Sequence, residues 1–163
     1  MQFLNALEDR AAAVGGHVVL AEGQDQRIID AAKDLAGRPS IKVTVLCPGA
    51  DQGEPHAALR EIGVDVLDPA SDPSRGSLAD FLLERRKHKG LTPEDAHQAV
   101  NDPLYFASLM VATGAADASV GGAVRTTADT VRAALHCIGP GEGLKTVSSA
   151  FVMVHPDPSW GAD

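Results

Sequence analysis

The sequence predicts an α/β protein, a three-layer αβα arrangement built on a mostly parallel sheet of about five strands. Three observations predict it. Short segments rich in β-branched residues alternate with longer stretches of helical character. The connections between them are short, which requires crossovers that cover both faces of a parallel sheet. Finally, 163 residues with a hydrophobic fraction of 44% and a charged fraction of 22% suffice for one soluble domain with a real core.

The elements follow in chain order. A first helix is expected over 2–14, then a strand at His17-Val-Val-Leu-Ala21 and a helix over 25–36. Ile41-Lys-Val-Thr-Val-Leu-Cys47 and Val64-Asp-Val-Leu67 are the next strands, separated by a helix over 54–62. Helices over 77–89, 93–100 and 103–113 precede a strand at Ala116–Val120, and a helix over 128–138 follows it. In Thr92-Pro93-Glu94-Asp95 a hydroxyl can cap, proline fills the first turn, and two acids meet the positive helix end. Asp102-Pro103 repeats that logic, and Gly114 supplies a left-handed stop. Thr146-Val-Ser-Ser-Ala-Phe-Val-Met-Val154 reads as a fifth strand, with a turn at Pro156–Gly161. Residues 1–145 thus form an N-terminal α/β domain, and 146–163 a strand and turn leading toward a second domain.

Composition narrows the chemistry. The formal charge is −8. An acidic chain is a poor binder of nucleic acid or anionic membranes, because phosphate contacts need clustered cations. No apolar run approaches the roughly 18 residues that span a bilayer. Cys47 and Cys137 form no CxxC pattern, which fits a reducing cytoplasm better than a disulfide scaffold. The six histidines show no metal-binding spacing, and no metal site is expected. The acidic N-terminus lacks the cationic start of a signal peptide.

Chemistry concentrates in Ser119-Val-Gly-Gly-Ala-Val-Arg-Thr-Thr-Ala-Asp-Thr-Val-Arg132. A strand runs into glycines, then hydroxyls, then a helix. Glycines permit close approach of backbone amides, and a helix N-terminus favours an anion. Gly122, Thr126, Thr127 and Arg132 can therefore form an oxyanion cradle; equally, Thr126-Thr-Ala-Asp129 can be only a capping box. Arg85-Arg-Lys-His-Lys-Gly90 gathers cations at a helix C-terminus, either as a solvated face or as an anion contact. Leu20-Ala-Glu-Gly-Gln-Asp-Gln-Arg27 ends a strand where α/β sheets bind ligands, with Asp25 as the simplest N-cap.

Taken together, these segments resemble the phosphate acetyl/butyryltransferases. Val19-Leu-Ala-Glu-Gly-Gln-Asp-Gln-Arg27, Arg86-Lys-His-Lys-Gly-Leu-Thr92, Asp102-Pro-Leu-Tyr-Phe106, Gly121-Gly-Ala-Val-Arg-Thr-Thr-Ala-Asp-Thr-Val-Arg132 and Thr146–Met153 are similar to family segments and occur in the same order. Gly121 stands where the family often has Ser, Arg125 where it often has His, and Ala21 where Pro is usual.

The resemblance implies reversible acetyl transfer between acetyl phosphate and coenzyme A, with CoA as substrate and no separate cofactor. Family enzymes are longer, with two α/β domains and the catalytic Ser, Arg and Asp in the second half. The chain is therefore expected to be the N-terminal part of such an enzyme, to carry no catalytic residue and to be inactive alone. The alternative is a non-catalytic acyl-phosphate or CoA-binding module. The resemblance assigns Arg132, Thr126 and Thr127 to the phosphoryl group, with Gly122 allowing close approach. Arg86 would take phosphate or a CoA phosphate, and Arg125 adds a cation. A cytoplasmic homodimer is implied.

Overall fold

The computed structural model describes residues 2–49, 53–150 and 152–155. Four strands form one parallel sheet: β1 (Gly16–Leu20), β2 (Ile41–Leu46), β3 (Asp65–Leu67) and β4 (Ala118–Val120), in the order β3-β2-β1-β4. Val18 pairs with Val43 on one side and with Ala118 on the other. The chain thus builds outward from β1 through β2 to β3, then returns to the opposite side of β1 for β4. That reversal leaves a crevice beyond the carboxyl ends of β1 and β4, the usual ligand position in open α/β sheets.

Seven α-helices surround the sheet: α1 (Gln2–Val14), α2 (Gln26–Ala36), α3 (Glu54–Glu61), α4 (Arg75–Arg86), α5 (Pro93–Ala99), α6 (Pro103–Ala112) and α7 (Thr127–Cys137). Side chains alternate across a strand, so β1 and β2 feed two cores. Leu20, Val43 and Val45 pack with Ile28, Ile29 and Ala32 of α2 and Leu59 of α3. On the other face Val19, Ala21 and Leu46 meet Leu82 of α4, Phe106 and Leu109 of α6, and Cys137 of α7. The three-layer αβα class follows from these two cores. α6 is buried along most of its length, with Leu104, Phe106, Ala107, Ser108, Leu109 and Met110 all inside. An apolar surface on all sides makes such a helix central.

Local chemistry sets the helix starts. Asp25 accepts from the Arg27 N–H, Thr92 from Asp95, Asp102 from Leu104 and Thr126 from Asp129. α4 begins two residues earlier than the apolar pattern suggests, after an Asp72 turn that accepts from the Ser74 N–H at 2.8 Å. It becomes a single 3₁₀ turn at Lys87–Lys89, closed by Gly90 at φ 84°. α1 lies off the sheet with its side chains exposed, tied through Glu8 to Arg38 at 3.3 Å.

The fifth strand expected at Thr146–Val154 is not formed. Residues 146–150 and 152–155 carry no regular structure, and Val147, Val152 and Met153 are exposed. β-branched residues favour a pleated, half-buried surface, but a strand exists only where a neighbour pairs with its backbone. None of the four strands pairs with this segment. The predicted turn at Pro156–Gly161 lies outside the described residues. No helix among those residues is long and apolar enough to cross a membrane.

Gly23 marks the tightest crossing near the crevice. A Cβ there would stand 2.4 Å from Val45 Cγ1 and 2.9 Å from the Leu46 carbonyl. Gly76, on the exposed side of α4, would meet nothing within 4 Å. Gly23→Ala should therefore lower unfolding stability by roughly 1–3 kcal/mol. Gly76→Ala should raise it by about 0.5–1 kcal/mol. Urea denaturation of both variants checks the contrast; equal effects would contradict the packing described.

Candidate functional site

Glu22 follows β1 directly, and its buried carboxylate reaches across the crevice to the loop after β4. Oε2 accepts from the Gly122 and Ala123 N–H groups, each at 2.6 Å. Oε1 accepts from Val124 at 3.0 Å and Arg125 at 2.7 Å. Four consecutive amides thus converge on one side chain. Gly122 adopts φ 98°, a left-handed value that turns the loop so that its N–H groups point inward. Burial pushes the Glu22 carboxyl up, and the four amides outweigh it, holding its pKa below the ordinary value.

Two further residues clamp the same loop. Arg27 forks onto Asp25 at 2.9 and 2.8 Å and donates to the Ala123 carbonyl at 2.5 Å. The Arg27 guanidinium, first by its side-chain hydrogen bond, holds Asp25 at a pKa of about 2. Arg125 donates to Asp102, which already caps α6. The loop is therefore held on its amide side by Glu22, on a carbonyl by Arg27, and through its own side chain by α6.

Beyond the loop, Thr126 caps α7 and its hydroxyl donates to Asp129 at 2.8 Å. Arg132 donates to the other Asp129 oxygen at 2.8 Å. The Thr126 hydroxyl, then Arg132, lower the Asp129 pKa. Thr127 is the exposed first residue of α7.

Two clefts open on this face. One, of about 240 Å³, lies at the β1/β4 crevice and is lined by Ala21, Glu22, Gln24, Pro48, Asp102 and Arg125. The other, also about 240 Å³, lies beside the end of α4 and includes Arg86, Lys89, Asp95, Tyr105 and His136. A shallower depression along the start of α6 touches both, sharing Asp102 and Pro103 with the first and Ala99 and Tyr105 with the second. The three depressions adjoin through these shared residues, with Arg125 lining the first cleft and Arg86 and Lys89 the second.

The residues proposed from sequence separate accordingly. Gly122, Arg125, Thr126 and Thr127 sit on the loop and the start of α7, at the crevice. Arg86 lines the other cleft, and Arg132, outside both linings, is close enough to act electrostatically on Tyr105 and His136. The loop amides that the sequence offered to a ligand anion have a different partner, because Glu22 fills their nest. Sequence reasoning gave Glu22 and Arg27 no individual role; the available signal was the Glu-Gly-x-Asp-x-Arg pattern, read as a strand end, a turn and a helix start where α/β sheets bind ligands. Arg85 is not a free surface charge: it donates to the Ile138 carbonyl at the end of α7. Among the described residues, no group of three or more His, Cys, Asp or Glu is placed to hold a metal ion.

Residues 2–162 match the Phosphate acetyl/butaryl transferase family. The chain belongs to that family. Among similar curated proteins, phosphate acetyltransferase of Paracoccus denitrificans is 39% identical, over 97% of this chain and 46% of its own length. That of Acetivibrio thermocellus is 37% identical, over 99% of this chain and 48% of its own length. The solved structure of EutD phosphotransacetylase from Staphylococcus aureus superposes with a TM-score of 0.76 at 30% identity, covering 89% of this chain and 44% of that one. The chain thus spans about half the length of the transferase relatives it matches.

Replacing Glu22 tests the clamp. Glu22→Gln presents an amide NH₂ to inward-pointing N–H groups, leaves donors unsatisfied, and should lower stability by about 2–3 kcal/mol. The sign with pH is fixed by the lowered pKa: the carboxylate's contribution is complete above the ordinary glutamate range and is lost as pH falls through the folded value. The variant should lack that part of the acid-side loss. Denaturation curves at neutral and acidic pH measure it, and parallel acid sensitivity in both proteins would be the contrary result.

Proposed function

We propose that this chain is the N-terminal part of a phosphate acetyltransferase, interconverting acetyl phosphate plus CoA and acetyl-CoA plus phosphate. In that reaction the CoA thiolate attacks the acetyl carbonyl, the carbon–sulfur bond forms, and the bond to the phosphate oxygen breaks. Such a site requires cations for the phosphate, donors for the developing oxyanion and a base for the thiol. The observation that carries the reading is the set of adjoining clefts along the start of α6, with Arg125 lining one and Arg86 another. An extended thiol carrier with a phosphorylated end suits that shape and charge.

In this reading Arg132, Thr126 and Thr127 face the phosphoryl group. Arg86 holds phosphate or a phosphate of CoA, and Arg125 adds positive charge at the crevice. Gly122 contributes through its left-handed backbone, because its N–H is already held by Glu22. Asp129, tied to Thr126 and Arg132, is a weak base. The base for the thiol therefore belongs to the other half of the enzyme. CoA acts as a substrate, no additional cofactor is required, and the working form is a cytoplasmic homodimer.

Two measurements follow. The 163-residue chain alone should acetylate CoA at a rate near background in a thiol assay, because proton removal and oxyanion stabilisation each supply roughly a hundredfold or more. Robust turnover would refute the division of labour. Arg132→Ala should weaken binding of acetyl phosphate or inorganic phosphate by about 1.5–3 kcal/mol in calorimetry. Unchanged affinity would remove Arg132 from the phosphate site.

A further inference from the structure

The Arg86 cleft contains an arrangement that the assignment of arginines leaves unexplained. Arg27, Arg125 and Arg132 each pair with a carboxylate, Asp25, Asp102 and Asp129 respectively. Arg86 is half-buried and has no side-chain hydrogen bond or ion pair among the described residues, although Asp95 lines the same cleft. Beside it the Tyr105 hydroxyl lies 2.8 Å from His136 Nδ1, with the rings edge to face at 5.8 Å and 68°. The two rings come from different helices, α6 and α7, and both line the cleft that holds Arg86 and Lys89.

This pair has two proton arrangements. With His136 neutral as its Nε2–H tautomer, the Tyr105 O–H donates to Nδ1 and its proton is committed to the imidazole. With charged His136, Nδ1–H donates to the phenol oxygen, and the Tyr105 O–H is released to turn into the cleft. The groups facing the pair decide which arrangement holds. Burial, then Arg86 and Arg132, disfavours the charged imidazole and so favours the neutral arrangement. Burial, with Cys137 and Asp102, outweighs Arg132 and Arg86 on Tyr105 and keeps the phenol protonated and a donor. Lys89 and Asp95 complete the charged lining and oppose one another.

We propose that Tyr105 and His136 form a proton-linked anchor for a phosphoryl dianion in the Arg86–Lys89 cleft. The entering anion offsets the two guanidinium charges, one proton passes from solvent to His136, and the Tyr105 O–H swings from Nδ1 to the anion. No covalent bond to either ring is made or broken beyond that proton. The anion gains a neutral donor and a nearby positive charge, so its affinity rises as pH falls through the histidine range. The proposal rests on Arg86 as an anion-binding residue, and it adds the Tyr105–His136 pair as the part that senses occupancy.

The test follows the His136 imidazole by NMR in the chain alone, with CoA, and with sulfate, which does not itself titrate near neutrality. His136→Gln assigns the resonance among the six histidines. CoA should raise the His136 titration midpoint by about one unit, as a new adjacent anion does. A matching rise with sulfate makes a free oxyanion sufficient; a rise with CoA alone assigns the site to its phosphate ester. Tyr105 is the chain's single tyrosine, and Tyr105→Phe should weaken CoA binding about tenfold at pH 6 and less at pH 8. If Arg86→Ala abolishes CoA binding while bound CoA leaves the wild-type midpoint unmoved, the proton-linked anchor is overturned and Arg86 stands. If Arg86→Ala binds CoA at full affinity, both the anchor and the role given to Arg86 fail. The wild-type titration does not depend on any variant folding.

Discussion

One carboxylate organises the ligand-facing end of this molecule. Glu22 leaves the sheet at the end of β1 and takes four successive amides of the loop that follows β4. A buried carboxylate without donors is expensive, and four orphaned amides are also expensive; together they satisfy one another. Because β1 and β4 are neighbouring strands separated by the reversal in sheet order, the bond set closes the crevice floor. It also fixes where α7 begins, since the loop runs into Thr126 without slack. The direction of α7 in turn places His136 in the cleft beside Arg86.

The same interaction changes how the glycine loop works. Glycines before a helix suggest amides waiting for a phosphate, but here the protein supplies the anion itself. What remains for a ligand is the side-chain surface around the nest: Arg125 braced by Asp102, the exposed hydroxyl of Thr127, and the guanidiniums of Arg132 and Arg86. On a chain of net charge −8, these three arginines stand near the clefts at the start of α6. Most of them are oriented by a carboxylate, which limits their conformational freedom before a ligand arrives. Arg86 is the exception among these: it shares its cleft with Tyr105, His136 and Asp95, and its side chain makes no ion pair among the described residues.

Much of the architecture is legible in the sequence because its causes are local. Asp25, Thr92, Asp102 and Thr126 cap helices through amides two or three residues away, so the residue types alone announce them. The alternation of β-branched runs and helical stretches likewise gives the parallel sheet and its two covered faces. The misses are non-local. Glu22 meets partners about a hundred positions later in the chain, and the Glu-Gly-x-Asp-x-Arg pattern around it does not say which they are. Arg85 finds a carbonyl at the end of another helix. Residues 146–154 have strand-forming composition, but composition does not provide the neighbouring strand, and the described sheet stops at β4.

Amide hydrogen exchange at residues 122–125 tests the central interaction most directly. These four N–H groups belong to no helix or strand, and none of the four residues is buried: Gly122, Val124 and Arg125 are exposed and Ala123 is half-buried. If the Glu22 carboxylate holds them, they should exchange far more slowly than an exposed loop amide such as that of Gly143 at neutral pH. That protection should fade on acidification as Glu22 takes up a proton, while the amides of β1 and β2 remain protected. Exchange as fast as the exposed loop, or protection that does not change when Glu22 is neutralised, would contradict the account.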